Sequence, residues 1–139
     1  MSCGGGRRQS GWASPDMQRK VLLVMLQHAE RLMYGYMLDH DGFQTTRASL
    51  ADARQQFRAS APSVVMVGLD DGGDEILDFV RWTQEQPGPR CRVIGMTAYP
   101  ASLLNGRVAG CDTCLQVPVP IAQIVSTVAR CVADAPGAD

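Results

Sequence analysis

The chain carries no excess of charge of either sign: Lys plus Arg number 13 against 14 for Asp plus Glu, a net charge of -1. That argues against a nucleic-acid-binding domain, which shows a basic excess on one face. It says nothing against binding another protein. No apolar run approaches the ~20 residues a membrane helix needs. Arg7 and Arg8 have no apolar stretch behind them, so the N-terminus does not read as a secretory signal. The five cysteines, Cys3, Cys91, Cys111, Cys114 and Cys131, are odd in number and irregular in spacing, which excludes a disulfide framework. Reduced thiols in a cytoplasmic protein are the expectation. Cys111-x-x-Cys114 is a lone pair. A zinc site would want two more ligands at matching spacing, and a redox pair normally sits at a helix N-terminus, whereas this one leads into a strand. Small buried residues are its default reading. His28 and His40 are too far apart to act as i, i+4 ligands, and Gly72-Gly73 lacks phosphate-cradling spacing. No metal, cofactor or nucleophile–base pair is expected, and the chain does not read as an enzyme.

What is present fits one domain. The 139 residues are the size of a single unit, and a hydrophobic share of 45% is enough for one packed core. Residues 1–19 are rich in Gly and Ser, bury little and are expected to be disordered. Met17 lies just before the first ordered-looking stretch and is a candidate true start. The domain runs from 20 to 133, and a frayed tail follows from 134 to 139.

Within the domain, continuous apolar runs alternate with helical stripes. Val21-Leu22-Leu23-Val24-Met25, Val64-Val65-Met66-Val67 and Cys91 to Met96 read as strands buried on both faces. Phe43 to Thr46 and Thr113 to Val117 are shorter strands. Ala29, Leu32, Met33, Tyr36 and Met37 recur at helical spacing. Ser49 with Asp52 approaches a capping box for a helix through Leu50, Ala53 and Phe57. Ile76, Phe79 and Val80 mark another helix, Leu103, Leu104 and Val108 a fourth, and Ile121, Ile124, Val125, Val128 and Val132 the last. Five strand–helix repeats with short links predict a parallel sheet covered on both faces. In such folds the working site lies beyond the carboxyl ends of the strands. Those ends fall at Met25–Gln27, Gly68–Gly72, Thr97–Ala98 and Val117–Pro118.

From Lys20 to about Val132 this pattern resembles the receiver domain of bacterial two-component response regulators. The resemblance rests on Lys20 to Val24, on Arg31, on Gly42-Phe43 and on Pro62-Ser63-Val64-Val65-Met66-Val67. It continues in Val93-Ile94-Gly95-Met96-Thr97-Ala98, in Gly110-Cys111-Asp112 and in Pro118. It implies an α/β, flavodoxin-like (CheY-like), doubly wound five-stranded parallel sheet with helices on both faces. It also implies a cis peptide bond at Val117–Pro118.

Receivers accept a phosphoryl group on an aspartate ending strand three. An acidic pair ending strand one holds Mg²⁺, and a lysine after strand five meets the phosphate. This chemistry is positioning plus charge neutralisation, with Mg²⁺ held by carboxylate and water oxygens. Here Met25 and Leu26 stand at the acidic pair, Gly68 at the phosphoacceptor, Val117 at the lysine and Cys114 at the aromatic residue of strand five. Only Thr97 keeps its expected type. Asp70 is the nearest alternative acceptor, but one acid without a metal is poor at this chemistry. With Asp71 and Asp74 it is expected to solvate the loop and cap the next helix.

The resemblance therefore implies a stand-alone, degenerate receiver, a pseudo-receiver that binds a signalling protein independently of phosphorylation or self-associates as a homodimer. The family's partner face maps to Leu103, Leu104, Arg107, Cys114, Val119 and Gln123. The alternative is a small-molecule sensor, with a ligand in the former phosphorylation pocket at Met25, Leu26, Gly68 and Val117. No nucleic acid, membrane or cofactor is expected as partner.

Overall fold

Three runs of β-branched and apolar residues occupy the middle of one parallel sheet. The computed structural model describes residues 19–25, 28–70, 73–88 and 90–133. In chain order the strands are β1 (Lys20–Val24), β2 (Gln44–Ala48), β3 (Val64–Gly68), β4 (Arg92–Thr97) and β5 (Thr113–Gln116). The helices are α1 (His28–His40), α2 (Ala53–Ser60, preceded by a 3₁₀ turn, Leu50–Asp52), α3 (Asp74–Gln84), α4 (Pro100–Ala109) and α5 (Ile121–Ala133). The spatial order of the strands is β2-β1-β3-β4-β5, and every pairing is parallel. This is the doubly wound order of flavodoxin-like folds, whose switch point lies between β1 and β3.

Alternation along each strand sorts the core into two layers. Val21, Leu23, Met66, Ile94, Met96 and Leu115 face α1 and α5, where Tyr34, Leu38, Ile124, Val128 and Val132 meet them. Leu22, Val24, Val65, Val67 and Val93 face α2, α3 and α4, against Ala53, Ile76, Phe79, Val80 and Ala109. β1, β3 and β4 are buried on both faces, which is why they read as unbroken apolar runs. β2 lies at an edge and holds Thr45, Thr46 and Arg47 half-exposed.

Several local expectations are corrected. Arg19 was grouped with the N-terminal segment by composition, yet its guanidinium donates to the carbonyls of Gly42 and Asp41 and lies over the Phe43 ring. Residues 1–18, with Met17 among them, and 134–139 lie outside the described residues. The helix α1 runs through Asp39 and His40, and a turn at Asp41–Gly42 leads into β2. The capping box at Ser49 is not formed. The Ser49 hydroxyl donates to the Asp52 carboxylate at 3.2 Å and caps no backbone N–H, because a 3₁₀ turn intervenes before α2. That helix ends on Ala61, whose φ of 47° is left-handed. Proline at 62 follows where the helix can no longer continue.

Candidate functional site

The carboxyl ends of β1, β3 and β4 meet at one end of the sheet, and their chemistry is set by what the strands deliver there. Met25, just after β1, is 2% exposed and is packed into the α1/α5 layer of the core. Leu26 lies outside the described residues. Gly68 ends β3, half-buried and in register with Met96. Thr97 ends β4 and is 1% exposed. Val117 follows β5, donates its N–H to the Thr97 carbonyl at 2.8 Å and packs against the same core layer as Met25. The Val117–Pro118 bond is cis.

One polar relationship crosses this end, and the sequence reading assigned it elsewhere. The Asp70 carboxylate accepts the Thr97 hydroxyl at 2.5 Å and the Ala98 N–H at 2.8 Å. Thr97 Oγ1 also accepts the Tyr99 N–H at 3.0 Å. Asp70 thus ties the β3–α3 loop to the β4–α4 corner and does not cap α3. The N-cap of α3 is Gly73, with no side-chain cap, and Asp74 is the first helical residue. Asp71 lies outside the described residues. Two residues beyond Gly68 the chain has left the strand, and that departure swings the Asp70 side chain across to β4.

A second carboxylate organises the opposite end of β4. Asp112 accepts the Val93 N–H at 2.8 Å, pairs with Arg90 at 2.8 Å and reaches Arg92 at 3.4 Å. This explains the aspartate of the Gly110-Cys111-Asp112 stretch as a structural residue. Gly110, with φ of 121°, ends α4 in a conformation that favours glycine.

The residues mapped to a partner face are divided in exposure. Leu104 on α4 is 67% exposed, and Arg107 and Gln123 are also exposed. Leu103, Cys114 and Val119 are half-buried, with Val119 against the core. Sequence reasoning missed Val108, which is 73% exposed and one helical turn from Leu104. It also missed Tyr99 and Ile121, both exposed. Val108 and Ile121 had been read into apolar helix stripes, and the placement of α4 and α5 on the sheet leaves them exposed.

Beneath α4 sits a tight cluster that also escaped notice. A Cβ on Gly95 would lie 2.8 Å from Leu69 Cδ1 and 3.1 Å from Cys111 Sγ. A Cβ on Gly106 would lie 2.7 Å from Leu69 Cδ1 and 3.1 Å from Cys114 Sγ. Two glycines on facing elements therefore make room for one leucine and two thiols. The neighbouring Cys114 thiol, then burial, holds Cys111 strongly towards the neutral thiol. Cys111 in turn, aided by the Arg107 guanidinium, lowers Cys114 to about 7. Cys91, by contrast, is pushed up to about 12, first by burial and then by the Asp112 charge. Among the described residues no three His, Cys, Asp or Glu side chains converge as metal ligands, and no helix is long and apolar enough to cross a membrane.

No protein-family model matches the sequence, and no curated protein matches it. Solved structures do. A response regulator from Thermotoga maritima matches at 20% identity with a TM-score of 0.72, covering 83% of this chain and 98% of its own. The signal receiver domain of a response regulator from Bermanella marisrubri matches at 18% identity and TM-score 0.74, covering 82% and 98%. The chemotaxis response regulator CheY4 of Vibrio cholerae matches at 19% identity and TM-score 0.71, covering 81% and 97%. Strand order, helix placement and these likenesses agree that the chain has the flavodoxin-like, CheY-like fold of response-regulator receiver domains.

Proposed function

We propose that this chain is a degenerate receiver that works in signal transduction as a protein-interaction module independent of phosphorylation, and not as an enzyme. The observation that carries the reading is the Asp70 carboxylate on Thr97 Oγ1 and Ala98 N. These two donors face the end of β4, where an incoming oxyanion would seek them, and an internal carboxylate already fills both. An added anion would have to displace a charge-assisted pair and would meet the Asp70 charge while doing so. The residues around them support the same reading. Met25 and Gly68 supply no carboxylate for a cation, and Val117 supplies no ammonium for a phosphate. Burial of Met25 and the packing of Val117 on the core favour a filled site over an open ligand pocket.

The interaction surface assigned to the module is α4 with the start of α5. Leu104 and Val108 project from one side of α4 beside Arg107. Exposed apolar side chains at i, i+4 spacing suit a helical or apolar partner surface.

The test is intact mass and amide NMR with Mg²⁺ and a small phosphodonor, or with beryllofluoride. The expected result is no adduct and no shift at Gly68, Thr97 or Ala98. A labile phosphoryl adduct on Asp70 or Asp71, or specific shifts at those amides, would overturn the reading.

A further inference from the structure

We propose that Cys111 and Cys114 are a thiol–disulfide redox pair that reacts with low-molecular-weight disulfides, Cys114 attacking and Cys111 resolving. The geometry comes first. Both thiols lie on the same side of the sheet, in one space left by Gly95 and Gly106: Cys111 Sγ is 3.1 Å from a Cβ placed on Gly95, and Cys114 Sγ is 3.1 Å from one placed on Gly106. Cys114 sits in register beside Gly95 on the edge strand β5, half-buried and open to a small reagent. Cys111 is 8% exposed, so it is shielded from direct attack. Arg107, on α4, lowers the Cys114 thiol from its ordinary value. A neighbouring cation favours the thiolate, the reactive form. No other described cysteine has this setting: Cys91 is buried beside the Asp112 charge, and Cys131 is buried in the α1/α5 layer.

The exchange balances in two steps. The Cys114 thiolate attacks one sulfur of R–S–S–R, the S–S bond breaks, and RS⁻ leaves. Cys111 then gives its proton to that thiolate and attacks Cys114 Sγ. The mixed disulfide breaks, and a second RS⁻ leaves and takes a proton from water. Two protein thiols are oxidised, and one small disulfide is reduced to two thiols. The bridge removes the thiolate that Arg107 pairs with, on the α4–β5 side of the domain. The site stands on its own geometry and holds whether or not that side binds a partner.

The experiment uses the full chain and oxidised glutathione, followed by quenching, alkylation and tryptic mass mapping. Both cysteines fall in one peptide, residues 108–130, bounded by Arg107 and Arg130. The expected wild-type product is this peptide lighter by two hydrogens and carrying no alkyl label. Cys111→Ser is expected to trap glutathione on Cys114 as a lasting mixed disulfide. Cys114→Ser is expected to leave Cys111 unmodified and fully alkylated after unfolding. Circular dichroism of each variant confirms that it is folded. A wild-type peptide with two alkyl labels overturns the proposal. So does a lasting glutathione adduct on Cys114 in the wild type, or a bridge from Cys114 to Cys3 instead of Cys111.

Discussion

The Thr97 hydroxyl donates to the Asp70 carboxylate at 2.5 Å, and that bond joins the loop after β3 to the end of β4. Thr97 is 1% exposed, so its hydroxyl has little access to water once the acid is removed. Asp70 itself is exposed and is resolvated on unfolding. Asp70→Ala is therefore expected to destabilise the fold by about 1–2 kcal/mol, between a neutral and a charge-assisted hydrogen bond. Urea unfolding measures it. The same variant frees the Thr97 hydroxyl and the Ala98 N–H. Titration with inorganic phosphate should then shift the Ala98 amide in the variant and leave it unmoved in the wild type. Equal shifts in both would show that Asp70 does not hold these donors.

Asp112 has three hydrogen-bonding partners, Arg90, Arg92 and the Val93 N–H, and they differ in worth. The Arg90 pair is 44% exposed on the arginine side, so Arg90→Ala is expected to cost no more than about 1 kcal/mol. The bond from the Val93 N–H is made by a strand amide beside a buried side chain. Asp112→Ala should therefore cost about 2–3 kcal/mol, because a donor loses its partner as well as the ion pairs. Thermal unfolding of the two variants gives the ratio, and a smaller loss for Asp112→Ala than for Arg90→Ala would refute the ranking.

Gly35 lies under the Arg47 side chain. A Cβ there would fall 2.2 Å from Arg47 Nη2, while Arg47 donates to the Arg31 carbonyl and pairs with Asp39 at 3.3 Å. Gly35→Ala is expected to push the guanidinium away and lose these contacts. In an Arg47→Ala background the clash is gone, and the same substitution should stabilise α1 by about 0.5–1 kcal/mol through helix propensity alone. A double-mutant cycle in urea reads this change of sign. An equal effect in both backgrounds would show that the glycine is not there to admit Arg47.

Ala61 is the one non-glycine among the described residues with left-handed φ. A side chain in that conformation costs roughly 1–2 kcal/mol, partly offset by the ~0.5–1 kcal/mol entropic cost of glycine. Ala61→Gly is thus expected to raise stability by up to ~1 kcal/mol, seen as a higher urea midpoint with an unchanged slope.

The fold was legible because burial on both faces writes itself into the chain as uninterrupted runs. Val21 to Val24, Val64 to Val67 and Val93 to Met96 read as buried strands, and the landmarks shared with receiver domains, Thr97-Ala98 and Gly110-Cys111-Asp112 among them, implied the fold that joins them. The site was legible in part. Met25, Gly68, Thr97 and Val117 do come to one end of the sheet, as strand ends in a parallel sheet must. Asp70 was expected to solvate its loop and cap α3; only the loop's path shows that its side chain reaches the end of β4. The Leu69–Gly95–Gly106 contact spans three elements, so no local spacing encodes it. The Cys111–Cys114 pair was visible as a motif, but its partner Arg107 comes from α4 and depends on how closely Gly106 lets that helix approach.

The thiol chemistry gives a pH signature that can be read without any oxidant. The Cys114 thiol is lowered to about 7 from an ordinary 9.0, first by the neighbouring Cys111 thiol and then, against burial, by Arg107. The folded chain therefore holds the thiolate at lower pH than the unfolded chain does. This contribution to stability is full above about pH 9 and is lost as pH falls through about 7. Alkylation of Cys114 by iodoacetamide should follow the thiolate, with a rate midpoint near pH 7. Arg107→Gln is expected to move the midpoint upward with little change in stability, because that side chain is exposed. Cys111→Ala should move it further, since Cys111 is the larger cause. Mass spectrometry of peptide 108–130 against pH gives all three midpoints. A wild-type midpoint near 9.0, or a larger shift from Arg107→Gln than from Cys111→Ala, would mean that the two sulfurs do not act on each other as the packing under α4 requires.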